Sequence, residues 1–179
     1  MIVVEAKIKI LNPDIFRKEI KKLAKFIETE HKIDDYYTLQ STKAYPKKSL
    51  RIRRKDNIYE INFKEKLSYI KGIHAKNEHE FIIDSINPFL DLIKDFGFKH
   101  WLRKEKTTEL YNISKNFNIE LNHVKSLGWF LEIEYLTDKE HILFARKRIL
   151  KIMKKLNIHK EKIMEKGYTK ILWNKNHKL

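Results

Sequence analysis

None of the 179 residues is a cysteine. That excludes disulfides, thiolate nucleophiles and cysteine-ligated metals, and it fits a reducing cytoplasm. Glycine is almost as scarce: Gly72, Gly97, Gly128 and Gly167 are the four, and no two lie close together. A P-loop or a dinucleotide-binding turn needs clustered glycines so that backbone N–H groups can approach phosphates. A phosphate ligand would therefore be held mostly by side chains. No apolar run approaches the length that spans a bilayer, and the first residues lack the cleavage pattern of a signal peptide, so no membrane partner is expected. The eight histidines fall at no metal-ligand spacing; His74, His79 and His123 read as strand or surface residues.

What is present is charge. Charged residues make up 35% and apolar ones 42%, with a net charge of +15. This is the composition of a globular chain that favours polyanionic partners: nucleic acid, phosphorylated small molecules or anionic membrane. The lysine-rich runs "RKEIKKLAK" (17–25) and "RKRILKIMKK" (146–155) read as solvated helix faces. No low-complexity linker divides the chain, and a single domain over 1–179 is the simplest organisation.

The opening stretch "VVEAKIKI" (3–10) alternates. Val4, Ala6, Ile8 and Ile10 share one face of an extended chain, while Val3, Glu5, Lys7 and Lys9 share the other. A helix is predicted next, capped by Asn12, started by Pro13, with Phe16, Ile20, Leu23 and Ile27 as its apolar stripe. Residues 34–40 read as a strand, 49–66 as a hairpin and 76–83 as a strand. A helix over 88–96 is closed by Gly97. Three more strands are predicted in 99–113, 117–124 and 129–136. Thr137 and Glu140 form a capping box for a helix running to about Leu156. A last helical or mixed segment covers 159–173. Glu5 precedes Asn12-Pro13 by seven positions, as Glu80 precedes Asn87-Pro88. Either a duplicated half-domain or chance explains that spacing.

The charged alternation recurs from strand to strand. Arg51 and Arg53 share a face, as do Glu60, Asn62 and Lys64; Lys76, Glu78 and Glu80; Lys104 and Lys106; Glu120 and Asn122; Glu132 and Glu134. A sheet with one wet side is the plain reading. Only seven of the 39 basic residues are arginine, yet three lie in "RIRR" (51–54), where a planar fork suits bidentate phosphate binding. Bases gather on some strands and acids on others. If they face one space, the bases can neutralise phosphate oxygens while the carboxylates hold Mg²⁺ or Mn²⁺. Tyr36, Tyr37, Trp101 and Trp129 read as core or barrel-wall residues.

Taken in order, these stretches resemble the CYTH superfamily, the triphosphate-tunnel proteins that include class IV adenylyl cyclases and thiamine triphosphatases. "VVEAKIKI" is similar to the family's E-x-E-x-K strand, "DDYYTLQ…SLRIRR" to its Asp-x-Tyr stretch and paired arginines, and Lys64 in "INFKEK" to its following lysine. "KNEHEF" resembles the (R/K)-x-E-x-E strand and "RKEK" (103–106) the K-x-R. The most telling is "IELNHVKSLGWFLEIE" (119–134), close to L-D-x-V-x-x-L-G-x-F-x-E-I-E. The resemblance covers about residues 3–173 and leans toward the cyclase-like branch. It implies an α+β fold, a closed antiparallel β-barrel of about eight strands with flanking helices. It implies catalytic roles for Glu5, Lys7, Glu132 and Glu134. It implies a metal on Glu5, Glu132 and Glu134 with Glu120 assisting, and a triphosphate on Lys7, Arg51, Arg53, Lys64, Lys76, Lys104 and Lys106. ATP, thiamine triphosphate or tripolyphosphate would be the ligand, and the cyclase-like relatives suggest a homodimer by analogy.

Two positions depart from the pattern. Val3 stands where the motif has its first glutamate, and Asn122 where it has an aspartate. Each removes a negative charge from the implied metal shell, which Glu78 or Glu80 could restore. The function expected is cyclisation of ATP to cyclic AMP and pyrophosphate, or triphosphate hydrolysis. The alternative is a non-catalytic binder of polyphosphate or nucleic acid.

Overall fold

The alternation of the first strand becomes the two surfaces of a barrel wall. In a computed structural model, which describes residues 1–55, 58–70 and 72–177, eight strands close on themselves: β1 (Ile2–Lys9), β2 (Lys25–Thr38), β3 (Leu50–Lys55), β4 (Ile58–Ile70), β5 (Ile73–Ile83), β6 (Lys99–Ser114), β7 (Phe117–Val124) and β8 (Gly128–Thr137). Every pairing is antiparallel, and the order around the barrel is β1-β5-β4-β3-β2-β6-β7-β8. Closure leaves no free sheet edge. Four helices flank it: α1 (Pro13–Lys21), α2 (Asn87–Asp95), α3 (Ile142–Lys155) and α4 (Tyr168–Asn176). None of the described helices is long and apolar enough to cross a membrane.

The apolar cores lie outside the barrel. Val4, Ala6 and Ile8 of β1, Ile119 and Leu121 of β7, and Leu131 and Ile133 of β8 point outward and pack with Ala145, Ile149, Ile152 and Met153 of α3. A second cluster joins Ile52 of β3 and Ile61 of β4 to Ile93 of α2, with Phe89 and Leu90 beside it. Because side chains alternate, burying these faces under helices sends the intervening charged residues into the lumen. Each fully buried Ile or Leu contributes about 1.5–3 kcal/mol, and that drives the closure around a polar interior.

Exchanging β1–β4 for β5–β8 reproduces the same circular order read in the opposite sense. The order is that of a duplicated four-strand unit, with α1 and α2 in equivalent places after each unit's first strand. The two helix starts differ. Asn12 caps α1 by accepting from the N–H groups of Asp14 (3.1 Å) and Ile15 (3.4 Å). Asn87 lies inside the first turn of α2, whose N-cap is Ile86 with no side-chain cap.

Three local expectations are corrected. α1 stops at Lys21, and Ile27 belongs to β2, which starts at Lys25 and pairs with β6 over nearly its whole length. A 13-pair ladder outweighs the helical spacing that continued from Leu23 to Ile27. The Thr137–Glu140 capping box does not form. Thr137 ends β8, α3 starts at Ile142, and Asp138 Oδ1 accepts from the His141 N–H at 3.0 Å. The strand containing 76–83 begins earlier, at Ile73. The predicted hairpin of 49–66 is present as β3 and β4, and its turn at 56 and 57 lies outside the described residues. Gly97 closes α2 as expected: φ is +86°, its N–H bonds Lys94 O at 2.9 Å and Phe98 N–H bonds Ile93 O at 2.9 Å.

Candidate functional site

The lumen holds a cavity of about 510 Å³ lined mainly by charged side chains. β1 contributes Glu5 and Lys7, and β8 contributes Glu132 and Glu134, because Lys7 pairs in register with Glu132 and Glu5 with Glu134. β7 adds Glu120, whose register partner is Glu132. These carboxylates form an acid wall. Glu5, Glu132 and Glu134 each offer an oxygen, and the three oxygens lie within 4.8 Å of one another.

The bases line the rest of the lumen, with Lys106 next to the acid wall. Arg51 and Arg53 come from β3, and Lys104 and Lys106 from β6. Arg53 makes a fork to Asp34 of β2, with Nε to Oδ1 at 2.7 Å and Nη2 to Oδ2 at 3.0 Å. Lys104 Nζ lies 2.8 Å from the same carboxylate. Lys106 Nζ donates to Glu120 Oε2 at 2.8 Å, and Arg51 to Glu60. β4 and β5 close the ring with Lys64, whose Nζ is 2.5 Å from Glu78 Oε1, and with Lys76, which donates to Glu5. Glu80 accepts from Asn62 at 3.2 Å.

Electrostatics separates these groups. For Glu5, burial alone would raise the pKa, but Lys7 and Lys76 overcome it and hold the carboxyl below its ordinary range. Asp34 is likewise held low against burial by Lys104 and Arg53, and Glu120 by Lys106 and Lys32. Glu134 goes the other way. Burial, then the Glu120, Glu132 and Glu5 carboxylates, push it up to about 8. No base among the described residues forms an ion pair with Glu134, whereas Lys7 and Lys76 pair with Glu5, Lys7 with Glu132, and Lys106 with Glu120. Lys104 is pushed down to about 8 by burial, with Lys106 and Arg53 adding repulsion against the pull of Asp34.

Three clustered carboxyl groups, one of them without an ion-pair partner, are a hard-oxygen donor set, which fits a divalent cation such as Mg²⁺ or Mn²⁺. Among the bases, Arg51 Nε is buried and without a hydrogen-bond partner, a donor available to an anion.

All the sequence-predicted site residues line this one cavity: Glu5, Lys7, Arg51, Arg53, Lys64, Lys76, Glu78, Glu80, Lys104, Lys106, Glu120, Glu132 and Glu134. Val3 lines it too, beside Lys76 and Leu136 in register. Asn122 is fully buried behind Glu120 and Glu132. Several residues were missed. Asp34 is 0% exposed and organises Arg53 and Lys104. Glu30 and Lys32 extend the same face of β2, with Lys32 Nζ 2.6 Å from Glu30 and 3.6 Å from Glu120. Their signal was present as Glu30, Lys32 and Asp34 at two-residue spacing, hidden because β2 was expected to begin at Asp34. Tyr36 is corrected from wall to lumen: its hydroxyl accepts from Lys104 Nζ at 3.1 Å. Lys47, Lys166 and Tyr168 line the cavity from outside the strands, and His74 lines it from β5.

A closed eight-strand barrel with a charged lumen is matched by the model of the CYTH domain over residues 1–168. The chain belongs to the CYTH family. A Pyrococcus horikoshii protein is 28% identical, with a TM-score of 0.80, over 94% of this chain and 98% of its own. A candidate adenylate cyclase of Vibrio parahaemolyticus shares 19% identity and a TM-score of 0.79, over 96% of this chain and 98% of its own. A candidate adenylyl cyclase from Hippeastrum, described as having a dominant triphosphatase activity, shares 16% identity and a TM-score of 0.66, over 99% of this chain and 96% of its own. These last two likenesses carry the fold alone. No curated protein matches the chain.

Proposed function

We propose that this CYTH barrel is a metal-dependent enzyme that acts on a triphosphate within its lumen. The observation that carries the reading is the presence, in one cavity within the closed barrel, of an acid cluster at Glu5, Glu132 and Glu134 and a basic group at Arg51, Arg53, Lys104 and Lys106. A triphosphate laid between the walls would exchange protein ion pairs for phosphate contacts. Arg51 and Arg53 would present planar donors, and Lys7, Lys64 and Lys76 would add point charges. Asp34 positions Arg53 and Lys104 for that exchange. Burial and the Glu120, Glu132 and Glu5 carboxylates raise Glu134 to about 8, so a cation bound there would displace its proton. Mg²⁺ or Mn²⁺ on Glu5, Glu132 and Glu134, with Glu120 adjacent, would supply charge neutralisation and an activated nucleophile.

Hydrolysis by attack of water on the terminal phosphorus needs only these groups. Cyclisation of ATP also needs a seat for the nucleoside, and its 3′-hydroxyl would attack the α-phosphorus. We therefore favour hydrolysis. A second reading, triphosphate or polyphosphate binding without turnover, is favoured by Val3 and Asn122, which leave fewer carboxylates facing a cation.

The test is a product assay with ATP, thiamine triphosphate and inorganic tripolyphosphate, each with and without Mg²⁺ or Mn²⁺. Metal-dependent orthophosphate supports hydrolysis. Cyclic AMP with pyrophosphate would move the protein to the cyclase branch. Tight tripolyphosphate binding without any product would leave the binder reading standing.

A further inference from the structure

The segment after α3 returns to the barrel and supplies part of the cavity wall. Met164 N–H donates to Lys7 O at 2.8 Å, and Ile163 forms a bridge with Ile8, so the segment is stitched to the end of β1. Gly72 admits it: a Cβ at that position would stand 2.5 Å from Ile163 Cγ2. Thr169 Oγ1 and the Tyr45 hydroxyl, 2.9 Å apart, tie the far side to the loop between β2 and β3. The residue so placed is Tyr168.

Tyr168 is 5% exposed, and its ring packs edge-on against Phe130 with centroids 4.8 Å apart. The Lys7 ammonium stands 4.2 Å from the ring centroid and the Lys104 ammonium 5.5 Å. One ring thus faces a lysine from the acid wall and a lysine from the basic wall. The hydroxyl is buried and makes no hydrogen bond of ordinary length and angle, although the Glu132 carboxylate lies close enough to act on it. A phenol carries an O–H donor at neutral pH. A buried donor left unmet is costly, and such groups in native proteins are commonly met by a ligand or an ordered water.

We propose that Tyr168 is a ligand-contacting residue of the tunnel: its hydroxyl donates to an oxygen of the bound phosphate chain, while its ring holds Lys7 and Lys104 toward that chain. The proposal rests on the reading that the lumen takes a triphosphate. Among the described residues beyond α3, Tyr168 alone combines burial, a donor without an ordinary hydrogen bond and contact with both walls. The phosphate chain is therefore recognised by barrel and C-terminal segment together.

The experiment is calorimetric titration of inorganic tripolyphosphate, in the presence of Mg²⁺, into the wild type and Tyr168→Phe. Melting curves of both ligand-free proteins and a titration with Mg²⁺ alone accompany it. The phenylalanine keeps the packing on Phe130 and the ring beneath the lysines, and removes only the donor. The expected result is tripolyphosphate affinity lowered about tenfold, the scale of one hydrogen bond to a charged acceptor, with melting temperature and Mg²⁺ affinity unchanged. Equal tripolyphosphate affinity in the two proteins would overturn the proposal. So would a lower melting temperature in ligand-free Tyr168→Phe, which would assign the hydroxyl to folding. A wild type that binds no tripolyphosphate would instead sink the triphosphate reading itself, and this proposal with it.

Discussion

Asn122 Nδ2 donates to Glu132 Oε1 at 3.2 Å, and the same amide donates to Glu120 Oε2 at 3.1 Å. The amide oxygen accepts from Thr108 Oγ1 at 2.6 Å. Asn122 thus bridges two carboxylates that would otherwise repel each other directly. An aspartate here would be an acceptor facing acceptors, in a fully buried position. Asn122→Asp is therefore expected to lower the melting temperature without divalent cation, since a buried like charge is costly. With Mn²⁺ the same variant should gain cation affinity and recover most of the loss. Melting curves across a Mn²⁺ series measure both effects. Equal melting of variant and wild type in chelator would show that the amide is not restraining the acid wall.

The two lumenal arginines should behave differently. Arg53 forks onto Asp34, which is 0% exposed, whereas Arg51 reaches Glu60 and leaves Nε unmet. Removing Arg53 leaves a buried carboxylate with fewer partners, a change that costs about 3–5 kcal/mol in comparable buried pairs. Lys104 still faces Asp34, so the lower end of that range is expected. Arg51→Ala should fold nearly as stably as the wild type and lose tripolyphosphate affinity. Urea unfolding compared with calorimetric titration of the two variants separates the roles. Equal loss of stability in both would contradict the assignment.

Much of this site was legible in the alternation alone. Glu5 and Lys7, Arg51 and Arg53, and Glu132 and Glu134 sit two apart between apolar neighbours that cover the outside of the barrel. Once a strand is recognised, its inner face follows. What was not legible came from failures of local signal. Phe16, Ile20, Leu23 and Ile27 continue one helical period, so β2 was expected nine residues late, and Glu30 and Lys32 were hidden with its first half. Ion pairing across strands, as between Asp34 and Lys104, depends on register that no single strand encodes. Tyr168 lies outside every strand and carries no pattern; only the return of the chain past Gly72 brings it into the lumen.

Lys104 is expected to make tripolyphosphate binding depend on pH. In the free protein its pKa is lowered to about 8, chiefly by burial. Its unfolded value is higher, so between about 8 and the ordinary lysine range the unfolded chain binds more protons, and this group's contribution to stability rises with pH. Binding runs the opposite way. A phosphate chain needs the charged ammonium, so above about pH 8 the protein must take up a proton to bind. Tripolyphosphate affinity is expected to fall by up to about tenfold per pH unit there, and to be level below it with respect to this group. Lys104→Arg, charged throughout, should flatten the decline. Calorimetric titrations at about pH 7 and about pH 9 test it, and an equal decline in both proteins would remove Lys104 as its source.

Gly72 and Ile163 make the last test, because they decide whether the C-terminal segment can sit against the barrel. Gly72 has φ +85°, and a Cβ there would meet Ile163 Cβ at 2.8 Å as well as its Cγ2. Gly72→Ala therefore carries two penalties, a left-handed backbone worth roughly 1–2 kcal/mol and a clash that must move Ile163. The first is local and should lower the melting temperature by a few degrees in a chain of this size. The second is transmitted: shifting Ile163 disturbs the Met164–Lys7 hydrogen bond and, five residues on, the seat of Tyr168. Adding Ile163→Gly removes both clashing atoms, Cβ and Cγ2, but not the backbone strain at position 72. The double variant should then regain tripolyphosphate affinity over Gly72→Ala while keeping a lowered melting temperature. If Gly72→Ala binds tripolyphosphate as tightly as the wild type, the segment's placement does not govern the lumen, and the notch at Gly72 serves folding alone.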